Sequence, residues 1–270
     1  MTKDEIHLEG LRGLSPKEVR GIIRAGRWEG PTAGLCEGYA QANLVALPKE
    51  YALDFMIFCQ RNPKACPVLD VTEPGKLEPT LMAPGADVST DIPRYRVYEN
   101  GGLAREVTDA SPFWREDLVA FLLGCSFSFE WALIEQGIPI RHIEENVNVS
   151  MYVTNIPCKP AGPFKGPMVV SMRPIPHHMV SRAVLCTGRF PSVHGSPVHI
   201  GDPWAIGIKD LAKPDFGDPV TIKDGEIPVF WPCGVTPQAV AMASGIPFMI
   251  SHSPGHMFIC DVKNSELATF

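Results

Sequence analysis

The segment PVFWPCGVTPQAVAMASGIPFMISHSPGHMFIC, residues 228–260, decides the fold. It contains no Asp, Glu, Lys or Arg, and it is long enough to cross a bilayer core of about 30 Å. Prolines and glycines, however, divide it into pieces of strand or short-helix length, which cannot satisfy their backbone hydrogen bonds in lipid. We therefore interpret the segment as the buried centre of a soluble domain, and we expect no membrane partner.

Strands and helices alternate in this segment and again in the N-terminal half of the chain. The pattern predicts a strand at 227–231, a helix at 237–243, and strands at 248–251 and 257–262. Nearer the N-terminus it predicts helices at 16–25, from the 47–50 stretch to 61, at 113–123 and at 126–136, a strand at 68–71 and a hairpin at 95–107.

Between about 140 and 205 the order changes to strand, strand, helix, strand, which is typical of a small two-layer α+β unit. We therefore predict an α/β fold: a three-layer α/β sandwich with a mixed sheet, interrupted by a smaller two-layer α+β domain. Residues 1–139 and 206–270 are expected to form the discontinuous main domain, and residues 140–205 the inserted one.

The composition excludes several classes of protein. The chain of 270 residues has 24 Lys and Arg against 30 Asp and Glu, a net charge of −6, and no block of like charges, so nucleic acid is not expected as a partner. Eight scattered cysteines without a C-x-x-C pair favour a reduced, cytoplasmic setting, and the charged start MTKDEIHLEG predicts no export signal. The 27 prolines predict stiffened loops.

The stretch GCSFSFE, residues 124–130, is predicted to begin a helix. Unpaired N–H groups and the helix dipole at such a start would favour a thiolate at Cys125 or a bound carboxylate, with Ser126 as the capping residue. Glu130 lies between two aromatic residues, where burial would raise its pKa and suit a general acid. The alternative is a plain helix start with a solvated Glu130.

The stretch RFPSVHGSPVHIGDP, residues 189–203, holds two histidines and an aspartate in a loop that prolines stiffen. His199 and Asp202 are predicted to be an imidazole with its orienting carboxylate. Histidines bonded to backbone groups are the simpler alternative. A further alternative is a divalent-metal site with five ligands: His194, His199, Asp202, His252 and His256.

The stretch VFWPCGVTPQ, residues 229–238, is predicted to be a strand, a turn and a helix start with Thr236 as its cap. Such a start suits a small carboxylate, whereas its single glycine is too few for a phosphate-binding loop. Arg24 and Arg173 lie beside rigid turns and are candidates for bidentate binding of a carboxylate, although either could instead form a surface ion pair.

Long collinear blocks of the chain resemble the D-glutamate cyclase family, whose bacterial members are labelled hydro-lyases. The match covers about residues 15–261 and departs from the family at Pro232, where alanine is common. The blocks include WEGPTAG (28–34), YAQANLV (39–45), GCSFSFE (124–130), GPMVVSMRP (166–174), RFPSVHGSPVHIGDP (189–203), VFWPCGVTPQ (229–238) and HSPGHMF (252–258). The resemblance implies a two-part α/β fold and, for a characterised branch, conversion of D-glutamate to 5-oxo-D-proline with loss of water.

Such a ring closure requires a neutral α-amine that attacks the γ-carboxyl, a stabilised oxyanion, and an acid for the departing hydroxide. We expect His199 with Asp202 to take the amine proton, and Glu130 or His256 to protonate the leaving oxygen. The N–H groups near Cys125 are expected to receive the oxyanion.

The expected substrate is a small amino or carboxylic acid, held by Arg173 or by the helix start at Thr236. No cofactor is expected, because the ring closes within one molecule, and a homo-oligomer is possible. The predicted substrate-binding residues are Arg24, Ser126, Arg173, His194, Thr236 and His252. Two alternatives are a metal-dependent hydratase or hydrolase built on the five-residue cluster, and a non-catalytic protein that binds small carboxylates.

Overall fold

The structure is a computed structural model that describes residues 8–11 and 13–269. The strands in these ranges are β1 (Tyr39–Pro48), β2 (Val68–Val71), β3 (Tyr95–Glu99), β4 (Gly102–Val107), β5 (Leu118–Gly124), β6 (Met151–Pro157), β7 (Pro167–Pro176), β8 (His199–Ile200), β9 (Glu226–Pro232), β10 (Phe248–His252) and β11 (Phe258–Lys263).

The helices in the same part of the chain are α1 (Leu8–Leu11), α2 (Pro16–Arg24), α3 (Lys49–Arg61), α4 (Phe127–Glu135), α5 (Arg141–Glu144), α6 (Val180–Gly188) and α7 (Val235–Ala243). Short 3-10 turns lie at Ser111–Phe113, His177–Met179, Pro191–Val193, Pro203–Ile206 and Asn264–Leu267. No helix among these residues is both long and apolar enough to cross a membrane.

Two sheets form the framework. Strands β2, β5, β1, β10, β3 and β4 lie side by side in that order in a seven-stranded sheet, in which β11 also pairs with β1. The second sheet has four strands in the order β6, β7, β9, β8. The α/β class is thus confirmed. The pairings within the described ranges are all antiparallel, so the sheet that we expected to be mixed has no parallel pair among these strands.

Strand β1, at the centre of the first sheet, is an element that the sequence pattern did not predict. It pairs with β5, β10 and β11, and all of its residues after Tyr39 are buried. Its alanines pack on one face, while Val45 and Leu47 pack on the other. Gln41 and Asn43 interrupt the apolar run on this second face, and this interruption hid the strand.

The prediction of a helix at 113–123 is wrong. Residues Leu118–Gly124 form β5, which lies between β1 and β2 and is buried along its whole length. A short, continuous apolar run fits a fully buried strand as well as it fits a helix. Tertiary pairing on both edges decides in favour of the strand here.

The neighbouring predictions agree with the structure. Helix α2 begins with a capping box, in which the Glu18 N–H donates to Ser15 Oγ at 3.4 Å and the Ser15 N–H donates to the Glu18 carboxylate at 2.8 Å. Helix α3, strand β2, the β3–β4 hairpin and helix α4 also form where the pattern predicted them.

The second sheet takes strands from both sides of residue 205. Strands β6, β7 and β8 precede this residue, whereas β9 follows it and lies between β7 and β8. The boundary that we expected at 205 therefore falls inside the stretch of chain that builds one sheet. The division of the chain into two domains stays a prediction.

Two strand–turn–helix units, one from each sheet, have the same layout. In one, β5 ends at Gly124 and α4 begins at Phe127; in the other, β9 ends at Pro232 and α7 begins at Val235. Each helix has nine residues, and a cysteine stands two positions before its first residue. We call these two turns, with Cys125 and Cys233, the cysteine junction.

Candidate functional site

Arg173 on β7 is fully buried, and all three of its guanidinium nitrogens have partners. Nε donates to Glu130 Oε1 at 3.0 Å, and Nη2 donates to the same oxygen. Nη2 also donates to Ser126 Oγ, at 3.0 Å. Nη1 donates to Ser171 Oγ at 3.0 Å. The aromatic rings of Phe129 and Trp231 lie within 5.5 Å of the guanidinium carbon. Because Glu130 already fills its carboxylate-binding side, Arg173 is not free to take a substrate carboxylate.

Glu130 is a carboxylate in this structure, and the raised pKa that we expected for a general acid is wrong. Burial alone would raise the pKa of Glu130, but His142 and Arg173 together lower it to about 2. His142 Nε2 lies 3.2 Å from Glu130 Oε1. At neutral pH Glu130 therefore has no proton to give, and its role is to compensate the buried guanidinium charge.

Cys125 stands at the start of α4 as expected, but it is a thiol, so of the two expectations for this helix start the thiolate is wrong. Burial raises the pKa of Cys125 far above its ordinary value, whereas the Phe127 N–H group and the charge of Arg173 oppose this rise. Ser126 does not cap the helix, because its backbone is helical and its hydroxyl accepts a hydrogen bond from Arg173 instead. The dipole of α4 is real, but burial outweighs it.

The second half of the cysteine junction also differs from expectation at Thr236. This residue lies inside α7 and does not cap it: its Oγ1 accepts the Val169 N–H at 3.0 Å and lies 3.1 Å from the Val169 carbonyl. It is fully buried and is not free to hold an anion. Cys233, which stands where Cys125 stands in the other unit, is also a thiol: burial raises its pKa to about 11, although the Val235 N–H lowers it.

Asn43 of β1 joins the two units. Its Nδ2 donates to the Gly124 carbonyl at 2.8 Å and lies 3.3 Å from that of Leu123. On the other side, a Cβ atom on Gly234 would lie 2.0 Å from Nδ2, so the α7 turn packs directly on the Asn43 side chain. Gly124 and Gly234, the neighbours of Cys125 and Cys233, therefore contact the same Asn43 side chain, so the two turns meet there.

His194 is fully buried beside this junction. Its Nδ1 lies 2.7 Å from the Lys64 carbonyl, and its Nε2 has no hydrogen-bond partner among the described residues. Burial lowers the pKa of His194 to about 4, although the backbone groups of Lys64 and Gly124 oppose this, so the ring is neutral. The preceding residues pack on Gly124, where an added Cβ would lie 2.1 Å from the Ser192 carbonyl oxygen. A donor at Nδ1 leaves Nε2 as a buried acceptor without a donor.

The pair that we predicted from His199 and Asp202 does not form. His199 Nε2 lies 2.6 Å from the backbone carbonyl of Asp202, and the Asp202 carboxylate accepts the Trp204 N–H at 3.0 Å. The aspartate thus caps the turn at Pro203–Ile206 and does not orient the imidazole. Both side chains lie outside the cluster around Arg173.

His252 and His256 have separate environments. His252 is buried, its Nδ1 accepts the Leu44 N–H at 3.1 Å and lies 2.9 Å from Gln238 Nε2, and burial lowers its pKa to about 3. His256 Nδ1 lies 2.9 Å from the Pro254 carbonyl. Within residues 8–11 and 13–269, no three His, Cys, Asp or Glu side chains are placed to hold a metal ion, so the five-residue metal cluster is not assembled.

Arg24 is also engaged elsewhere. Its Nε and Nη2 donate to the two carboxylate oxygens of Asp91 at 2.7 and 2.8 Å, and Asp91 is fully buried. This bidentate pair joins α2 to the 87–91 segment. The guanidinium therefore binds a carboxylate of the protein itself, and the substrate-binding role that we predicted for Arg24 is not supported.

Several residues of the cluster were not predicted from the sequence. His142, Ser171 and Asn43 belong to no sequence motif that would single them out. Cys233 could have been found, because the turns at Gly124–Phe127 and Pro232–Val235 place a cysteine at the same distance from a helix start.

Two surface grooves lie away from the cysteine junction. One, of about 400 Å³, is lined by Glu29, Arg94, Glu106, Val107, Thr108 and Asp109. The other, of about 820 Å³, lies between α4 and α6 and includes Trp131, Leu185 and Phe190. In contrast, Cys125 and Cys233 are each only 7% exposed, so the junction is closed to solvent.

Comparison with known proteins supports a family assignment. The family model described as D-glutamate cyclase matches residues 119–261, which include all but the first residue of β5 and the whole of α4, β7, β9 and α7. A protein of Geobacillus kaustophilus is 65% identical over 254 residues, 94% of this chain and 97% of its own length. A protein of Stutzerimonas stutzeri is 61% identical over 262 residues, 97% of this chain and 99% of its own. Both carry the name "Putative hydro-lyase".

Among solved structures, the nitrogen repressor-like protein MJ0159 from Methanococcus jannaschii aligns with 87% of this chain and 91% of its own, at 9% identity. The TM-score of this alignment is 0.39, a value too low to indicate a shared fold. The assignment therefore comes from sequence. Since the family model spans more than half of the chain and the relatives match it almost from end to end, the chain belongs to the D-glutamate cyclase family.

Proposed function

We propose that this protein is a hydro-lyase that closes D-glutamate to 5-oxo-D-proline with release of water, and that the reaction takes place at the cysteine junction. The family supports this class of reaction. The observation that carries the choice of site is the buried Cys125 thiol at the start of α4, whose neighbour Ser126 accepts a hydrogen bond from the Arg173 guanidinium.

A proton donor is the first chemical requirement, because hydroxide is a poor leaving group. A thiol whose pKa is raised by burial keeps its proton at neutral pH and can give it to the departing oxygen. The thiolate that results is stabilised by the Phe127 N–H group and by the charge of Arg173, which both favour the ionised form. Cys125 thus replaces Glu130 and His256 as the proposed acid.

The orientation of the amine is the second requirement. The Nε2 atom of His194 is a buried acceptor without a protein donor, and it lies beside the Gly124 turn. An amine N–H of the substrate is the donor that this atom lacks, and the resulting hydrogen bond would point the nitrogen lone pair towards the γ-carboxyl. His194 therefore takes the place that we first gave to His199.

The Glu130–Arg173 pair is a positioning element in this proposal. It fixes the first turns of α4 against β7, and the Ser126 hydroxyl next to Cys125 is part of the same hydrogen-bond network. Buried, fully bonded networks of this kind hold neighbouring groups in a defined geometry. Because the junction is closed, substrate binding also requires a neighbouring segment to move aside.

The test is a turnover assay on the purified protein with D-glutamate and, separately, L-glutamate. Product is separated by chiral chromatography, and thermal shifts are recorded for the same compounds. We expect 5-oxo-D-proline from the D-isomer and a loss of turnover in Cys125→Ala, with Cys158→Ala as the control because Cys158 is similarly buried but is not at a helix start. Stabilisation by D-glutamate without product would instead indicate a carboxylate-binding protein.

A further inference from the structure

We infer that Cys233 is a second catalytic residue of this ring closure, and that Cys125 and Cys233 together form a double proton relay between the amine and the departing oxygen. This inference rests on the proposed function. It begins from the similarity of the two units, β5–α4 and β9–α7, which come from different sheets and meet at Asn43.

The two thiols have matching positions and environments. Each stands two residues before a nine-residue helix, and each is 7% exposed. Backbone N–H groups of the following turn lower the pKa of each thiol: that of Phe127 for Cys125, and those of Gly234 and Val235 for Cys233. The environments differ in one contact, because Cys233 Sγ also donates to Met151 Sδ at 3.5 Å. The single guanidinium of Arg173 acts on both thiols. Two helix starts and one buried cation therefore favour negative charge at both sulfur atoms.

A second, independent feature points to a ligand at the same place. His194, which is fully buried and packed beside Gly124, has an Nε2 atom with no partner among the described residues. An unpaired buried acceptor costs free energy unless a ligand supplies the donor. The junction therefore combines an acceptor for a substrate N–H, His194 Nε2, with two thiols that can give a proton to a substrate oxygen.

The proton balance of the reaction requires two transfers. Zwitterionic glutamate has three protons on its nitrogen and a γ-carboxylate without one, whereas the lactam keeps one proton on nitrogen and the released water has two on the departing oxygen. The C–N bond forms, the C–O bond breaks, and two protons move from nitrogen to oxygen. No oxidant, reductant or co-reactant is consumed.

Two neutral thiols satisfy this balance. One thiol gives its proton to the γ-carboxylate and, as a thiolate, takes one from the ammonium group, which leaves the neutral amine that attacks. The other gives its proton to the departing hydroxyl and takes the second proton from nitrogen, so that both are thiols again after turnover. Buried thiols remain protonated in the resting protein, and the helix starts lower the cost of each transient thiolate. A single thiol would have to act twice in one turnover.

The experiment compares Cys233→Ala and Cys233→Ser with Cys158→Ala and Cys158→Ser. Cys158 is the matched control, because it is 6% exposed and burial raises its pKa to about 11, as for Cys233, yet it follows the end of β6 and does not precede a helix. Initial rates are measured with D-glutamate and with a γ-aryl ester of D-glutamate, whose aryloxide leaves without first taking a proton, and the uncatalysed rate is subtracted. Melting temperatures show which variants are folded.

For Cys233→Ala we expect kcat on D-glutamate to fall about 10²–10⁴-fold, and the rate on the aryl ester to fall less than about tenfold. Both Cys158 variants should keep rates close to the wild type. Equal losses on both substrates, or no loss on either, would overturn the relay. If Cys233→Ala does not fold, the nearly isosteric Cys233→Ser decides by the same two rates. A wild-type protein that makes no 5-oxoproline overturns the proposed function itself, and the relay with it.

Discussion

Asn43 and Gly234 are in such close contact that a Cβ atom at position 234 would lie 2.0 Å from Asn43 Nδ2. The φ of Gly234 is −64°, so its backbone would accept any residue and the constraint is purely steric. Gly234→Ala should therefore destabilise the protein by about 1–3 kcal/mol, as overpacking of a core does. Chemical denaturation with a fluorescence readout measures this change.

Gly21→Ala is the control for that substitution, because Gly21 lies in α2 with no atom within 4 Å of an added Cβ. It should be neutral or stabilising by up to about 1 kcal/mol. Shortening the opposing side chain in Gly234→Ala/Asn43→Ser should recover part of the loss. Additive losses in the double variant would show that the two residues are not in contact.

The Glu130–Arg173 pair predicts a large loss of stability when one partner is neutralised. Glu130→Gln leaves a fully buried guanidinium without its carboxylate, which costs about 3–5 kcal/mol. Thermal and denaturant unfolding give the magnitude. Arg105→Gln is the matched surface change, since Arg105 and Glu99 are about half exposed and 3.4 Å apart, and it should cost at most about 1 kcal/mol. Equal effects of the two substitutions would contradict the buried pair.

Substitution of Arg24 tests whether this residue binds the substrate, as the sequence predicted, or only Asp91, as in the structure. Arg24→Gln should leave kcat and KM for D-glutamate unchanged, because its guanidinium binds Asp91 and not the substrate. The melting temperature should fall, since Asp91 is buried and loses its bidentate partner. A raised KM with an unchanged melting temperature would instead restore Arg24 as a substrate ligand.

Stability should fall in two steps as the pH is lowered. Burial lowers the pKa of His194 to about 4 and of His252 to about 3, whereas an unfolded histidine titrates near about 6.5. The unfolded chain therefore binds more protons below this pH, and the free energy of unfolding falls from about pH 6.5 towards 4. Glu130, whose pKa is lowered to about 2, adds a second loss between about pH 4.3 and 2.

Urea unfolding at a series of pH values measures this profile. His252→Gln should make the first step shallower, whereas His178→Gln, which changes an exposed ring, should leave its slope unchanged. A wild-type stability that is constant between pH 6.5 and 4 would contradict the neutral, buried state of both histidines.

The sequence indicated the fold best where local signals and tertiary structure agree. Ser15 and Glu18 form the capping box that their spacing predicts, and the hairpin turn after Glu99 lies at its Asn-Gly pair. Apolar runs alone were ambiguous: Leu118–Gly124 is a strand because β1 and β2 bind its two edges, and no local feature encodes those partners.

In the candidate site, too, local features were predictable from the sequence and features that depend on tertiary contacts were not. The helix starts near Cys125 and Thr236 were recognisable, because each follows a strand and a turn. The pKa values were not, since they depend on burial and on residues distant in sequence: the pKa of Glu130 is lowered by His142 and by Arg173, which is 43 positions away. Likewise, Asp202 is close to His199 in sequence, yet its carboxylate bonds to a backbone N–H and not to the ring.

The most direct test of the cysteine junction measures the conversion of D-glutamate by proton NMR for the wild-type protein and Cys125→Ser, with Cys158→Ser as the control. We expect the wild type and Cys158→Ser to convert D-glutamate to 5-oxo-D-proline, and Cys125→Ser, although folded, to be slower by about 10²-fold or more. Equal turnover in all three proteins would contradict the role of the cysteine junction, and the absence of 5-oxoproline with the wild type would contradict the proposed reaction.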